Sequence, residues 1–154
     1  MGLEIERKFL VKNRNWRTEA DQGTVIRQGY LNSDKERTVR VRVYGEQGFL
    51  TIKGKSNQLT RQEFEYEVPL EEAQQMLRLC EKPLIEKTRF LLKHEAHTWE
   101  IDVFEGENEG LIVAEVELES ESDSVTLLDW VGAEVSDDQR YFNSSLIRHP
   151  FKAW

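Results

Sequence analysis

The stretch Leu3–Val11, LEIERKFLV, places Glu4, Glu6 and Lys8 at alternate positions, with Leu3, Ile5 and Arg7 between them. Successive side chains of a strand point to opposite faces of a sheet. One face therefore carries two carboxylates and an ammonium in a row. Two readings compete: a solvated sheet face, and a site that binds a metal ion and an anion together.

The same alternation recurs along the chain. TVRVRVYG sets Arg40 and Arg42 against Val39, Val41 and Val43, and FLTIKG sets Thr51 and Lys53 against Leu50 and Ile52. RQEFEYEV carries Glu63, Glu65 and Glu67 on one face, and EKTRF carries Lys87 and Arg89. WEIDVF offers Glu100 and Asp102, and AEVELE offers Glu115, Glu117 and Glu119. A half-buried antiparallel sheet is expected to be apolar inward and polar outward. Here, however, the polar faces hold full charges, sorted strand by strand into basic and acidic rows. A surface built for solubility intersperses the signs. Separate strips suit a metal–polyanion complex, because carboxylates suit Mg²⁺ or Mn²⁺ while Lys and Arg take phosphate oxygens. For both strips to face one ligand the sheet must curl with its charged faces inward, leaving apolar faces outside to be covered.

Strands are expected at about 3–12, 25–31, 37–45, 48–55, 60–68, 84–94, 98–105 and 111–119, with turns at 32–36, 45–48, 55–58 and 105–110. Three helices are expected: PLEEAQQMLRLC (69–80), opened by Pro69; SVTLLDWVG (124–132), ended by Gly132; and DDQRYFNSSLI (137–147), with an aspartate as N-cap. The fold class is mainly β, an antiparallel meander, and eight strands are enough to close a barrel.

Composition bounds the rest. The 154 residues, 38% hydrophobic and 32% charged, read as a single globular domain, 1–154, without repeats or linkers. No apolar run approaches membrane-spanning length and no signal peptide is evident, so no membrane partner is expected. A lone cysteine, Cys80, suits a reducing cytoplasm and reads as a small core residue. A formal net charge of −8 argues against a nucleic-acid binder, yet leaves room for a local basic cluster that takes a small polyanion. His94, His97 and His149 show no metal-ligand spacing and read as solvated; the four tryptophans, Trp16, Trp99, Trp130 and Trp154, read as cover for the outside of a barrel or as a subunit contact. A homodimer is one way to provide that contact.

EIERK, residues 4–8, is an ExExK pattern at the extreme N-terminus. It is followed in order by QGYL (28–31), VRVR (39–42), TIKG (51–54), EFEYEV (63–68), KTRF (87–90), EIDVF (100–104) and AEVELE (114–119). Over nearly its whole length the chain resembles the CYTH, or triphosphate tunnel metalloenzyme, family. That resemblance implies an eight-stranded antiparallel tunnel whose charged interior binds a triphosphate with a divalent cation, Mg²⁺ or Mn²⁺. It implies metal-site carboxylates at Glu4, Glu6, Glu115 and Glu117, with Glu63, Glu65 and Asp102 completing the acidic side or orienting metal-bound water. It implies a phosphate clamp of Lys8, Arg40, Arg42, Lys53, Lys87 and Arg89. A helix at a tunnel mouth is implied for YFNSSL, 141–146. Lys87, crowded by Arg89 and other cations, is a candidate proton acceptor, and otherwise a plain phosphate ligand. Tyr30 is the second candidate, and otherwise a packed strand-end aromatic.

The leading expectation is metal-dependent hydrolysis of inorganic tripolyphosphate to pyrophosphate and phosphate. A nucleoside triphosphatase is the nearest rival, since a tunnel open at both ends leaves room for a nucleoside outside. An adenylate cyclase is less favoured because no His-Phe pair precedes Glu4, and a thiamine triphosphatase because those relatives are longer. A non-catalytic polyphosphate-binding module and a plain structural barrel are the readings from other classes.

Overall fold

In the computed structural model, which describes residues 2–55 and 59–154, the expected strands all form. They are β1 (Gly2–Val11), β2 (Thr24–Asn32), β3 (Arg37–Tyr44), β4 (Gln47–Gly54), β5 (Thr60–Val68), β6 (Ile85–His94), β7 (His97–Phe104) and β8 (Ile112–Glu117). The turn expected at 55–58 lies, beyond Lys55, outside the described residues. Antiparallel neighbours run β5-β4-β3-β2-β6-β7-β8-β1, and β1 returns to β5 through Gly2↔Glu63 to Ile5↔Thr60, closing the barrel. One strand was not expected: β9 (Val131–Glu134) adds to the free edge of β1 beyond the β5 pairing.

The inversion implied by the charge rows is present. Lys8, Arg40, Arg42, Lys87, Arg89, Asp102 and Glu115 are all buried. Register explains how they meet: Glu6 lies opposite Glu117, Lys8 opposite Glu115, Glu100 opposite Glu115, and Arg89 opposite Asp102. Because side chains alternate, a single correct register sends each strand's charged set to the same interior.

The outward apolar faces are covered in two places. Phe9, Leu92, Trp99, Ile101, Ala114 and Val116 form one outer cluster, covered by Trp16 and by Leu118, Trp130 and Val131. The Trp99 ring sits 5.6 Å from Phe9 and 5.3 Å from Trp130. On the opposite wall α1 (Leu70–Leu77) brings Ala73 and Leu77 onto Val41, joined by Cys80 just after the helix. That approach is close enough to require glycine beneath it, since a Cβ at Gly48 would stand 2.6 Å from the Ala73 methyl. Cys80 is a buried free thiol, as expected. Trp16, Trp99 and Trp130 serve as outer cover, while Trp154 remains partly exposed beside Tyr141.

Two of the expected helices are corrected. SVTLLDWVG is not helical; it runs as irregular chain and then enters β9. Its extended path lets Val125, Leu128 and Trp130 all reach the outer cluster, and this burial outweighs the local helical spacing. DDQRYFNSSLI breaks into a 3-10 turn, Gln139–Tyr141, and a single-turn helix, α2 (Asn143–Leu146), with Phe142 extended between them. Asp138 does cap its turn, accepting from the Arg140 amide.

This broken segment seals one end of the barrel. There the interior changes from charged to apolar at Leu10, Ile85, Phe104 and Val113, and Tyr141, Leu146 and Ile147 pack onto that floor. The charged interior is thus a cup-shaped cavity within the barrel, with this apolar packing at one end. Among the described residues, no helix is long and apolar enough to cross a membrane.

Trp99→Ala removes the centre of the larger outer cluster. It should cost about 3–5 kcal/mol of stability, read as a lower midpoint in denaturant unfolding; a change under about 1 kcal/mol would contradict this packing.

Candidate active site

The charged interior encloses a cavity of about 650 Å³. Its walls come from all eight barrel strands, β2 through Tyr30, with Phe142, Asn143 and Ser144 at one end. Leu59, Arg61, Ala96, His97 and Thr98 line the mouth. His97 is not solvated as expected; its ring is mostly buried and pairs with Asp123 at 3.0 Å.

The basic side is built around Asp102. Arg89 donates to both Asp102 oxygens at 2.8 and 3.0 Å, and Lys87 Nζ stands 2.7 Å from Oδ2. Burial would raise the Asp102 carboxyl, but Arg89 and Lys87 outweigh it and hold it well below the usual carboxylate range. One carboxylate therefore answers two cations, and neither Arg42 nor Arg40 pairs with it among the described residues. Arg42 Nε donates to the neutral Gln28 Oε1 at 2.7 Å, and no carboxylate pairs with it among the described residues. Burial, then Arg40 and Arg89, push its guanidinium down to about 9. Arg40 reaches Thr51 at 3.2 Å and Glu65 at 3.8 Å, while its Nε is buried with no hydrogen-bond partner among the described residues. A buried charge without a partner is costly. This cluster is the arrangement an incoming phosphate chain would complete.

The acidic side faces it across the cup. Burial, then Glu115 and Glu4, raise the Glu6 carboxyl well above its ordinary value. Burial, then Glu4 and Glu63, raise Glu117. Glu115 goes the other way: burial is outweighed by Lys8 and its pKa falls to about 2. Glu4 and Glu63 both lie near Lys53, at 2.9 and 3.6 Å. Carboxylates that repel one another in a buried wall fit a divalent cation that would relieve the repulsion. Among the described residues, no three His, Cys, Asp or Glu side chains form a ready protein cage. A divalent cation held there would complete its shell with water and other oxygen ligands. Glu6, Glu115 and Glu117 could hold it, with Glu4 and Glu63 beside Lys53; Glu65 lies 3.8 Å from Arg40, and Asp102 pairs with Arg89 and Lys87.

The expected clamp residues Lys8, Arg40, Arg42, Lys53, Lys87 and Arg89 all line this cavity. Tyr30 lines it too while packing into the apolar floor, so its two readings coexist. Sequence reasoning gave no role to Glu100, 3.3 Å from Arg89, although it shares a face with Asp102. Gln28 and Asn143 were also missed, because a neutral amide gives no charge pattern to follow.

A CYTH domain model matches residues 2–148. The chain belongs to the CYTH family. An inorganic triphosphatase of Acetivibrio thermocellus is 49% identical over 153 residues, covering 99% of this chain and 97% of the relative. A second, of Nitrosomonas europaea, is 35% identical over 150 residues, covering 93% and 95%. The crystal structure of an inorganic triphosphatase superposes with a TM-score of 0.66 at 31% identity, over 93% of this CYTH chain and 96% of that one.

Lys87 gives the cup a measurable pH signature. Burial first, then Arg89 and Arg42, push its ammonium down to about 7 against the pull of Asp102. Unfolded, the amine titrates near the ordinary lysine value of about 10.4. Its contribution to stability is therefore complete above that value and is lost as pH falls through about 7. Between pH 7 and 10 the stability of the wild type should climb relative to that of Lys87→Met; parallel curves in denaturant titrations would refute the shift.

Proposed function

We propose that this CYTH chain, acting as one domain, is a metal-dependent inorganic triphosphatase that hydrolyses tripolyphosphate to pyrophosphate and phosphate. The observation that carries the reading is the buried Arg40–Arg42 pair, short of counter-charge, facing the Glu6–Glu115–Glu117 wall inside one cavity. The names of the two relatives point the same way.

Phosphoryl transfer rests on positioning and charge stabilisation more than on covalent steps. Arg40, Arg42 and Arg89 take non-bridging oxygens, Arg in bidentate fashion where geometry allows, and Lys8 and Lys53 hold the rest of the chain. Glu6, Glu115 and Glu117 would hold a divalent cation, which would neutralise phosphate charge and make bound water more acidic. Mg²⁺ is the proposed ion, with Mn²⁺ able to replace it through the same oxygen ligands. Water attacks the terminal phosphorus, the bridging P–O bond breaks towards pyrophosphate, and the water's proton passes to Lys87 Nζ. With its pKa near 7, Lys87 holds a large neutral fraction at physiological pH, which suits a proton acceptor. Tyr30, at the same wall, is the alternative acceptor.

Nucleoside triphosphates are the second reading. The sealed floor leaves a nucleoside only the mouth, where the described lining residues offer no aromatic face beyond the His97 imidazole. That favours a substrate recognised through its phosphates alone. A net charge of −8 disfavours nucleic acid as a partner, and the free Cys80 suits the reducing cytoplasm. A second copy of the chain is the proposed cover for the outer face where Leu3, Ile52 and Tyr66 stay exposed.

Phosphate release from tripolyphosphate should require a divalent cation, stop with chelator and exceed release from ATP. Glu6→Gln should reduce it at least 100-fold, in the range of an essential catalytic contact, while the far-ultraviolet spectrum is kept. Release that persists in chelator, or in Glu6→Gln, would sink the metal-site assignment.

A further inference from the structure

The segment that seals the cup also reaches into its chemistry. Lys87 Nζ donates to Asn143 Oδ1 at 3.0 Å, and Gln28 Nε2 donates to the same oxygen at 3.2 Å. Gln28 in turn accepts from Arg42 Nε at 2.7 Å. Lys8 Nζ donates to the Tyr141 carbonyl at 3.2 Å and lies 5.3 Å from the Phe142 ring. Three interior cations are thus tied, directly or through Gln28, to three consecutive residues near the C-terminus.

The Lys87 geometry is the most specific of these ties. Asp102 and Asn143 occupy two of the tetrahedral directions around Nζ, and the Phe104 ring stands 5.2 Å away on the floor side. Lys87 also lines the cavity, which leaves its third N–H for a ligand there. An ammonium held this way aims its third N–H at substrate. A neutral amine spends both its N–H bonds on the two acceptors and aims its lone pair there. Asp102 alone would leave the nitrogen free to rotate about the one contact. The single-turn helix begins at Asn143 directly after extended Phe142, so the break in the expected C-terminal helix is what delivers this side chain to the interior.

We propose that Asn143 is a positioning residue of the hydrolytic reaction, its amide oxygen fixing the direction in which Lys87 Nζ meets the substrate and fixing Gln28, hence Arg42, beside it. The proposal rests on the cup being the tripolyphosphate site with Lys87 acting in it. A misdirected reacting group costs turnover more than binding, by about 10- to 100-fold for displacements near 1 Å.

Initial rates of phosphate release from tripolyphosphate with Mg²⁺ test it in wild type, Asn143→Leu, Asn143→Asp and Lys87→Ala. Asn143→Leu keeps the volume but no acceptor, and should lower kcat about 10- to 100-fold with KM changed less than about threefold. Asn143→Asp, which keeps an acceptor oxygen, should recover at least tenfold of that loss, although its added negative charge raises KM. Wild-type kcat in Asn143→Leu, or a loss confined to KM, would overturn the positioning role. Equal loss in the Leu and Asp variants would do the same. If the Leu variant does not fold, the Asp variant decides alone: a kcat within about tenfold of wild type supports the role, and a larger loss overturns it. Full activity in Lys87→Ala, or none in wild type, would instead overturn the underlying reading of the cup.

Discussion

The constraint on which the structure depends is a shortage of negative charge around Arg42. Four cations, Arg40, Arg42, Lys87 and Arg89, converge inside the barrel, and Asp102 satisfies only two of them. A protein interior tolerates such an imbalance only when the rest of the fold over-determines it. Here the backbone hydrogen bonds of a closed sheet do so. Each cation projects from a strand paired on both sides, so none can swing out to water without breaking the ladder. The imbalance is one that a bound polyanion would relieve.

Turning the charged faces inward reverses the ordinary logic of a β-barrel, and the outside bears the consequence. The apolar core of this protein is a coat. One patch lies under α1, another under the Trp99–Trp130 stack and the chain that leads into β9. The third apolar cluster packs at one end of the barrel, under Tyr141, Leu146 and Ile147. Stability and function therefore occupy different layers, which lets the interior hold strained charges while the coat supplies the hydrophobic stabilisation.

Much of this was legible in the sequence, because period-two alternation is a strong signal and register then does the rest. Glu4, Glu6 and Lys8, Arg40 and Arg42, and Lys87 and Arg89 could be assigned to one face by parity alone. The sign segregation between strands favoured an interior face, and the burial of Lys87, Arg89 and Asp102 places it there. What failed was local. Residues 124–132 space their apolar side chains in a way that serves a helix or an irregular strap equally, and only contact with Trp99 decides between them. Residues 137–147 form a helical pattern that Phe142 interrupts, because Tyr141 is drawn to the floor while Asn143 turns to Lys87. Gln28 and Asn143 carry no charge, and their importance comes wholly from what lies beside them in space.

The direct test of the central claim is a calorimetric titration of tripolyphosphate into metal-free protein, wild type against Arg42→Met, with chelator present so that nothing is turned over. One tripolyphosphate should bind the wild type, and the variant, equally folded, should bind it weaker by about 1.5–3 kcal/mol, the worth of a charge-assisted contact. Equal affinity in the two proteins would mean that the unpaired cations of the cup are not the site where the triphosphate is held.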